Sequence, residues 1–344
     1  MNWHRMWVLC VSLLGATGVT TSARSVELLA SAPTQYRVVE GDTVWDVASR
    51  FLVHPWEWPE LWRRNPALAD PDLIYPGDVL ELTRFNGEAE LRIAAASEVR
   101  LQPQVRVSAP RRAIPTILIE TIRPFLSSPR PLSEDEKDAG PFIVALPDRR
   151  IAGGAQDRIY VRGLPQAPAR DFTVFRVGQP LTEGDTGETL GYEGIFVADA
   201  TLVAHGDPAT LVMLRNQREA VIGDRILARN AGETGLYVHP HAIKKPLRGH
   251  IIGVLDGVSQ IGQYQVVTLD RGARDGIESG HVFEIVQRGI ELRDPYAGFG
   301  TRVFAPEQSA GKLLVFRVFE RVSYALILRA SRPVHVLDII QPPG

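Results

Sequence analysis

Cysteine is almost missing: the 344 residues hold one, Cys10, and no second that could form an intramolecular disulfide. Because Cys10 lies in the short apolar stretch Val8 to Val19, removal of the N-terminus would also remove any thiolate nucleophile or cysteine metal ligand. Long apolar runs are lacking as well. Beyond the N-terminus no uncharged stretch reaches the about eighteen residues that a membrane-crossing helix needs. Charge of one sign does not dominate, since 38 Lys and Arg stand against 40 Asp and Glu. A net charge of -2 argues against a dedicated nucleic-acid binder, which normally shows a clustered basic face.

Common catalytic signatures are equally scarce. His-Glu-x-x-His and Gly-x-Ser-x-Gly do not occur. His239-Pro240-His241 offers a His-x-His pair, but zinc needs a third protein ligand, and His205-Gly206-Asp207 is too compact to be the usual companion. No metal site and no cofactor are therefore expected. Carboxylates are plentiful, so a glycosidase pair stays open.

What is present begins with an export pattern. Residues 1–23 read as a secretory signal, with Arg5 before the apolar stretch and small polar residues ending at Ala23; a retained anchor is the alternative. After a linker over 24–35, four of the six tryptophans (Trp45, Trp56, Trp58, Trp62) crowd into one short region. Tyr36 to Val39 alternates as a strand does, and Asp42 or Thr43 is placed to cap a following helix. Val44, Val47, Ala48 and Phe51 share one helical face. Pro59 opens a second helix, Pro66 stops it, and Tyr75-Pro76-Gly77-Asp78 turns the chain into a strand ending at Leu82. The expectation is a βααβ unit over residues 36–83.

Tyr36-Arg-Val-Val-Glu-Gly-Asp-Thr-Val-Trp-Asp-Val-Ala48, with Asn65-Pro66 and Ile74-Tyr-Pro-Gly-Asp-Val-Leu-Glu-Leu82, resembles a lysin-motif (LysM) domain. The resemblance implies binding of peptidoglycan, an N-acetylglucosamine-containing glycan, in a groove between two turns. Carried onto this sequence, the groove is Gly41, Asp42, Thr43 and Val44 on one side and Leu73, Ile74, Tyr75 and Pro76 on the other, with Asn65 and Pro66 beside them. Trp56 is a candidate stacking surface for a sugar ring.

Residues 84–139 read as linker and irregular structure, with Glu88 to Arg100 a candidate short helix. Beyond residue 140, short β-branched runs separated by glycine predict strands, among them Phe142–Ala145, Arg158–Arg162, Phe172–Phe175, Thr210–Met213 and Tyr264–Val267. Asp171–Leu181 aligns with Val282–Leu292, Ala209–Leu214 with Ser323–Leu328, and Gly223–Leu227 with Leu337–Ile340 at its Asp. Two related β modules, 140–230 and 247–340, are expected. The fold class is thus multidomain α+β: a small βααβ domain, then a mainly-β region. Leu269 to Gly280 also resembles, distantly, barrel-like modules of periplasmic scaffolding proteins. The functional expectation is a non-catalytic, envelope-associated or periplasmic peptidoglycan binder whose β modules dock an envelope protein. A cell-wall hydrolase with an unrecognised site in the β region is the alternative.

Overall fold

The computed structural model describes residues 26–62, 74–85, 88–94, 113–117, 122, 125, 130–165, 169–229, 238–255, 261–289, 291–293 and 302–343. The signal assignment over 1–23 and the site residues Asn65, Pro66 and Leu73 lie outside them.

The N-terminal unit contains β1 (Gln35–Arg37), α1 (Val44–Phe51), α2 (Trp58–Trp62), β2 (Val79–Phe85) and β3 (Glu88–Ile93). Helix α1 starts at Thr43, which accepts the Asp46 N–H while the Asp46 carboxylate reaches back to the Thr43 N–H. That capping box satisfies donors the helix cannot use itself. Val44, Val47, Ala48 and Phe51 are buried, as their spacing predicts, against Val38, Trp58, Leu61, Ile74, Leu80 and Leu91. Val26 and Leu28, ahead of β1, pack on the same core, and Leu28 bridges to Leu52.

The candidate helix over Glu88 to Arg100 is corrected. Glu88–Ile93 is strand β3, antiparallel to β2 with Phe85 opposite Glu88, so the sheet runs β1-β2-β3. Alternation decides this: Leu91 is buried in the core, and Ala89 and Ile93 pack on it with period two. Asn86-Gly87 between the strands is a strong hairpin signal that outweighs the helix-forming alanines beyond it.

The first barrel is built from β4 (Arg130–Leu132), α3 (Glu134–Asp138), β5 (Phe142–Ala145), β6 (Ala152–Gly153), β7 (Arg158–Arg162), β8 (Asp171–Thr182), β9 (Thr189–Ala204), β10 (Ala209–Asn216), β11 (Ala220–Val221) and β12 (Arg225–Ala228). Strands β10-β7-β5-β12-β8-β9 run side by side, and β9 pairs again with β10, which closes a ring of six with β4 appended to β9. The second barrel follows with β13 (His241–Ala242), β14 (Gly249–Val254), β15 (Val266–Leu269), β16 (His281–Gln287), β17 (Glu291–Arg293), β18 (Arg302–Phe304), β19 (Gln308–Val318), β20 (Ser323–Ala330) and β21 (Ile339–Gln341). Here β16-β19-β20-β15-β14-β21 closes through β21 with β16, and β13 is appended parallel to β16. Taken in chain order, the six ring strands follow one another around both barrels in the same sequence. The multidomain layout and the two β modules hold, but the α+β label is corrected: among the described residues helix belongs chiefly to the N-terminal unit, and the region beyond it forms two six-stranded barrels.

The repeat extends to single residues. Asp224 accepts the Val221 N–H at 2.9 Å through its carboxylate, and Asp338 accepts the His335 N–H at 2.9 Å in the same way. Arg176 donates to Asp224 at 3.0 and 2.9 Å, while Gln287, at the matching place on β16, donates to Asp338 at 3.1 Å. Gln156 and Tyr264, each just before the second ring strand, both take left-handed backbone angles, φ 68° and 65°.

Ring closure gives each barrel its own apolar interior. Ile143, Ile159, Val161, Val174, Leu211 and Met213 fill the first; Ile251, Val267, Phe283, Ile285, Leu313 and Ile327 fill the second. The β8–β9 hairpin of the first barrel lies on the second. Leu181 and Leu190 pack with Val322, Gly184 N–H donates to the fully buried Asp270 at 3.1 Å, and Arg271 pairs with Glu183 at 2.8 Å.

Candidate functional site

The two turns expected to bound the glycan groove meet as the sequence suggests. The Asp42 carboxylate accepts from the Val39 N–H at 2.9 Å and the Tyr36 hydroxyl at 2.8 Å, so it shapes its own turn, and Thr43 alone caps the helix. Burial, and then the neighbouring Asp42 carboxylate, push the Tyr36 hydroxyl pKa up. Across from it, Asp78 accepts the Tyr75 N–H at 2.9 Å. Val38 N–H donates to Asp78 O and Gly77 N–H to Val38 O, both at 2.8 Å, tying the second turn to the strand that enters the first. Each turn needs a left-handed residue and has glycine there: Gly41 at φ +95° and Gly77 at φ +101°. Thr43, Val44 and Ile74 are buried, Tyr75 and Pro76 half-buried, and Gly41 exposed.

Between the turns lies not open space but the chain itself. Ile114 N–H donates to Ile74 O at 2.9 Å, Val44 N–H to Pro115 O at 2.9 Å, and Trp45 N–H to Thr116 O at 3.2 Å. Val44 and Trp45 are the first two residues of α1, whose amides have no partner within the helix. Ile114 completes the core of the N-terminal unit, Pro115 is exposed, and Ile117 is buried on the other side. The stretch read as linker over 84–139 therefore supplies a strand of the unit and the segment seated in its groove.

Ile117 enters a cluster that joins the N-terminal unit to the second barrel. Trp45 and Trp56 pack there against Leu314, Phe316, Tyr324, Leu326 and Leu328 on the barrel's outer face. Trp56 is 9% exposed, with the Lys312 ammonium 4.7 Å from its ring, so it is an interface residue and not an open sugar platform. Burial pulls the Lys312 pKa down, and its ammonium also donates to Val53 O at 3.3 Å. The Tyr264 hydroxyl donates to Asp46 at 3.4 Å across the same boundary; its pKa is raised by burial and by that carboxylate.

The histidine pair weighed in the sequence separates. His241 meets Glu278 and His281, with candidate ligand atoms all within 4.8 Å, whereas His239 contributes only its carbonyl, to His241 Nδ1 at 2.9 Å. Parallel pairing of β13 with β16 sets His241 beside His281. The Glu278 N–H donates to His281 Nδ1 at 3.0 Å, which puts the proton of that neutral ring on Nε2. A cation on either nitrogen would break this bond, so the trio is built first as a turn closure. Burial, and then His241, lower the His281 pKa.

Residues 36–83 match the family model for the LysM domain. No match to this chain was found among curated proteins. The N-terminal unit is thus a LysM domain, a family associated with glycans of the peptidoglycan and chitin kind and with extracellular or envelope proteins. Among the described residues no helix is long and apolar enough to cross a membrane.

Proposed function

We propose that this chain, with a LysM domain at its N-terminal end, is a non-catalytic envelope protein. Its LysM groove takes N-acetylglucosamine-containing glycan, and its barrels serve as scaffold or protein-docking surface. The observation that carries the reading is the LysM match together with the geometry of its two turns. Val44 and Trp45 carry two amides that the helix does not use and Ile74 a carbonyl, a complement suited to an acetamido group. In support of a binding role without chemistry, both barrel interiors are filled by apolar side chains. The signal-like N-terminus supports export to the periplasm.

Full-length protein should cosediment with insoluble peptidoglycan, and an excess of soluble N-acetylglucosamine oligomer should release it. Sedimentation that the oligomer leaves unchanged contradicts the groove assignment. A fragment ending near residue 90 is the wrong reagent, because it loses Leu91, which is fully buried in the core of the N-terminal unit.

A further inference from the structure

Glycan and backbone compete for the same polar groups. An acetamido group presents one N–H and one C=O, and Ile114 N–H with Pro115 O already presents that pair to Ile74 O and Val44 N–H, each at 2.9 Å. An amide hydrogen serves one strong acceptor at a time, so Val44 and Trp45 cannot hold both occupants fully.

We propose that Ile114–Thr116 is a self-ligand: it fills the LysM groove of the resting protein, and an N-acetylated glycan enters only when the segment leaves. The proposal rests on the glycan reading above. Two anchors hold the segment, and they belong to different parts of the molecule. Ile114 is buried in the LysM core and Ile117 in the face of the second barrel, while the exposed Pro115 between them marks a surface strap. Because Trp45 joins the same barrel cluster, the strap and the docked pose of the LysM domain are coupled. Whatever loosens the domain from the barrel also loosens the strap. Apparent glycan affinity then falls with the fraction of molecules whose groove is open.

The test uses full-length protein and an N-acetylglucosamine hexamer, with affinity measured by calorimetry. Two variants are compared with wild type. One replaces Ala113–Ile117 by Gly-Ser-Gly-Ser-Gly; the milder Ile117→Ala leaves Ile114 in the core. Tryptophan fluorescence confirms that each remains folded. The replacement should bind the hexamer at least about tenfold more tightly than wild type, with Ile117→Ala between them. Folded variants that bind no more tightly than wild type overturn the self-ligand. If neither variant nor wild type binds the hexamer or peptidoglycan, the glycan reading fails, and the self-ligand with it.

Discussion

Two barrels with one strand order occupy opposite situations. On β10 of the first, Thr210 and Val212 are half-buried and Leu214 is 45% exposed. Their counterparts on β20 of the second, Tyr324, Leu326 and Leu328, are at most 3% exposed. The inward neighbours match: Leu211 and Met213 fill one interior as Ala325 and Ile327 fill the other. The difference therefore lies outside the barrels. The second has an apolar outer face because Trp45, Trp56 and Ile117 lie on it, and the first keeps the alternation of a strand facing water on one side. A shared fold thus tolerates a change of role on its outer face, and in the second barrel that role is to hold the LysM domain.

The comparison breaks most visibly at equivalent outer positions. Leu326→Asp should destabilise the protein by roughly 3–5 kcal/mol, because it buries a charge without a partner. The matching Val212→Asp should cost about 1 kcal/mol or less, since its carboxylate can reach water. Urea denaturation of both variants measures the difference, and equal losses would remove the claimed asymmetry. Next in size, Trp56→Ala should cost about 3 kcal/mol through the lost ring and its contact with Lys312. Limited proteolysis should then cut between the LysM domain and the barrels faster than in wild type.

A smaller contrast concerns the shared aspartate turn. Asp224→Ala should cost about 2 kcal/mol, because the Val221 N–H loses its acceptor and the Arg176 guanidinium keeps only the Glu219 carbonyl. Asp338→Ala, whose side-chain partner is the neutral Gln287, should cost about 1 kcal/mol. Thermal unfolding of the pair ranks them, and the reverse order would contradict the account. The smallest effect is in pH. His281 has a folded pKa below its unfolded one, so the unfolded chain binds the proton more readily. Its contribution is complete above about pH 6.5 and is lost as pH falls from there through the lowered folded value. The first barrel has exposed Arg170 in place of His281, one residue before the aligned stretches. Wild type should lose more stability than His281→Gln between pH 7.5 and 5; parallel losses would sink the assignment.

Much of this arrangement could be read locally. The α1 face, the Thr43 cap, the Gly41 and Gly77 turns, and the matches of β8 with β16, β10 with β20 and β12 with β21 all rest on spacings within a dozen residues. What escaped was long-range. Glu88–Ile93 carries no helical signal that its pairing with β2 does not override, and Asn86-Gly87 before it signals a hairpin. The Trp56 burial and the Ile114–Thr116 contact depend on surfaces remote in the chain, which periodicity does not reveal. Two signals did point there. Ser323-Tyr-Ala-Leu-Ile-Leu328 is too continuously apolar for a strand wet on one side, and Ile114-Pro-Thr-Ile-Leu-Ile119 is too apolar for a free linker. Gly41 to Val44 and Ile74 to Pro76 stand at the two turns, and the backbone bonded to Val44, Trp45 and Ile74 belongs to the stretch whose sequence reads as irregular.

Amide hydrogen exchange at Val44 and Trp45 in the full-length protein tests the occupied groove most directly. Both should exchange slowly in wild type, where Pro115 and Thr116 accept them, and rapidly once Ala113–Ile117 is replaced by Gly and Ser. Added N-acetylglucosamine hexamer should restore slow exchange in the replaced protein. Fast exchange at both amides in wild type would contradict a groove closed by its own chain.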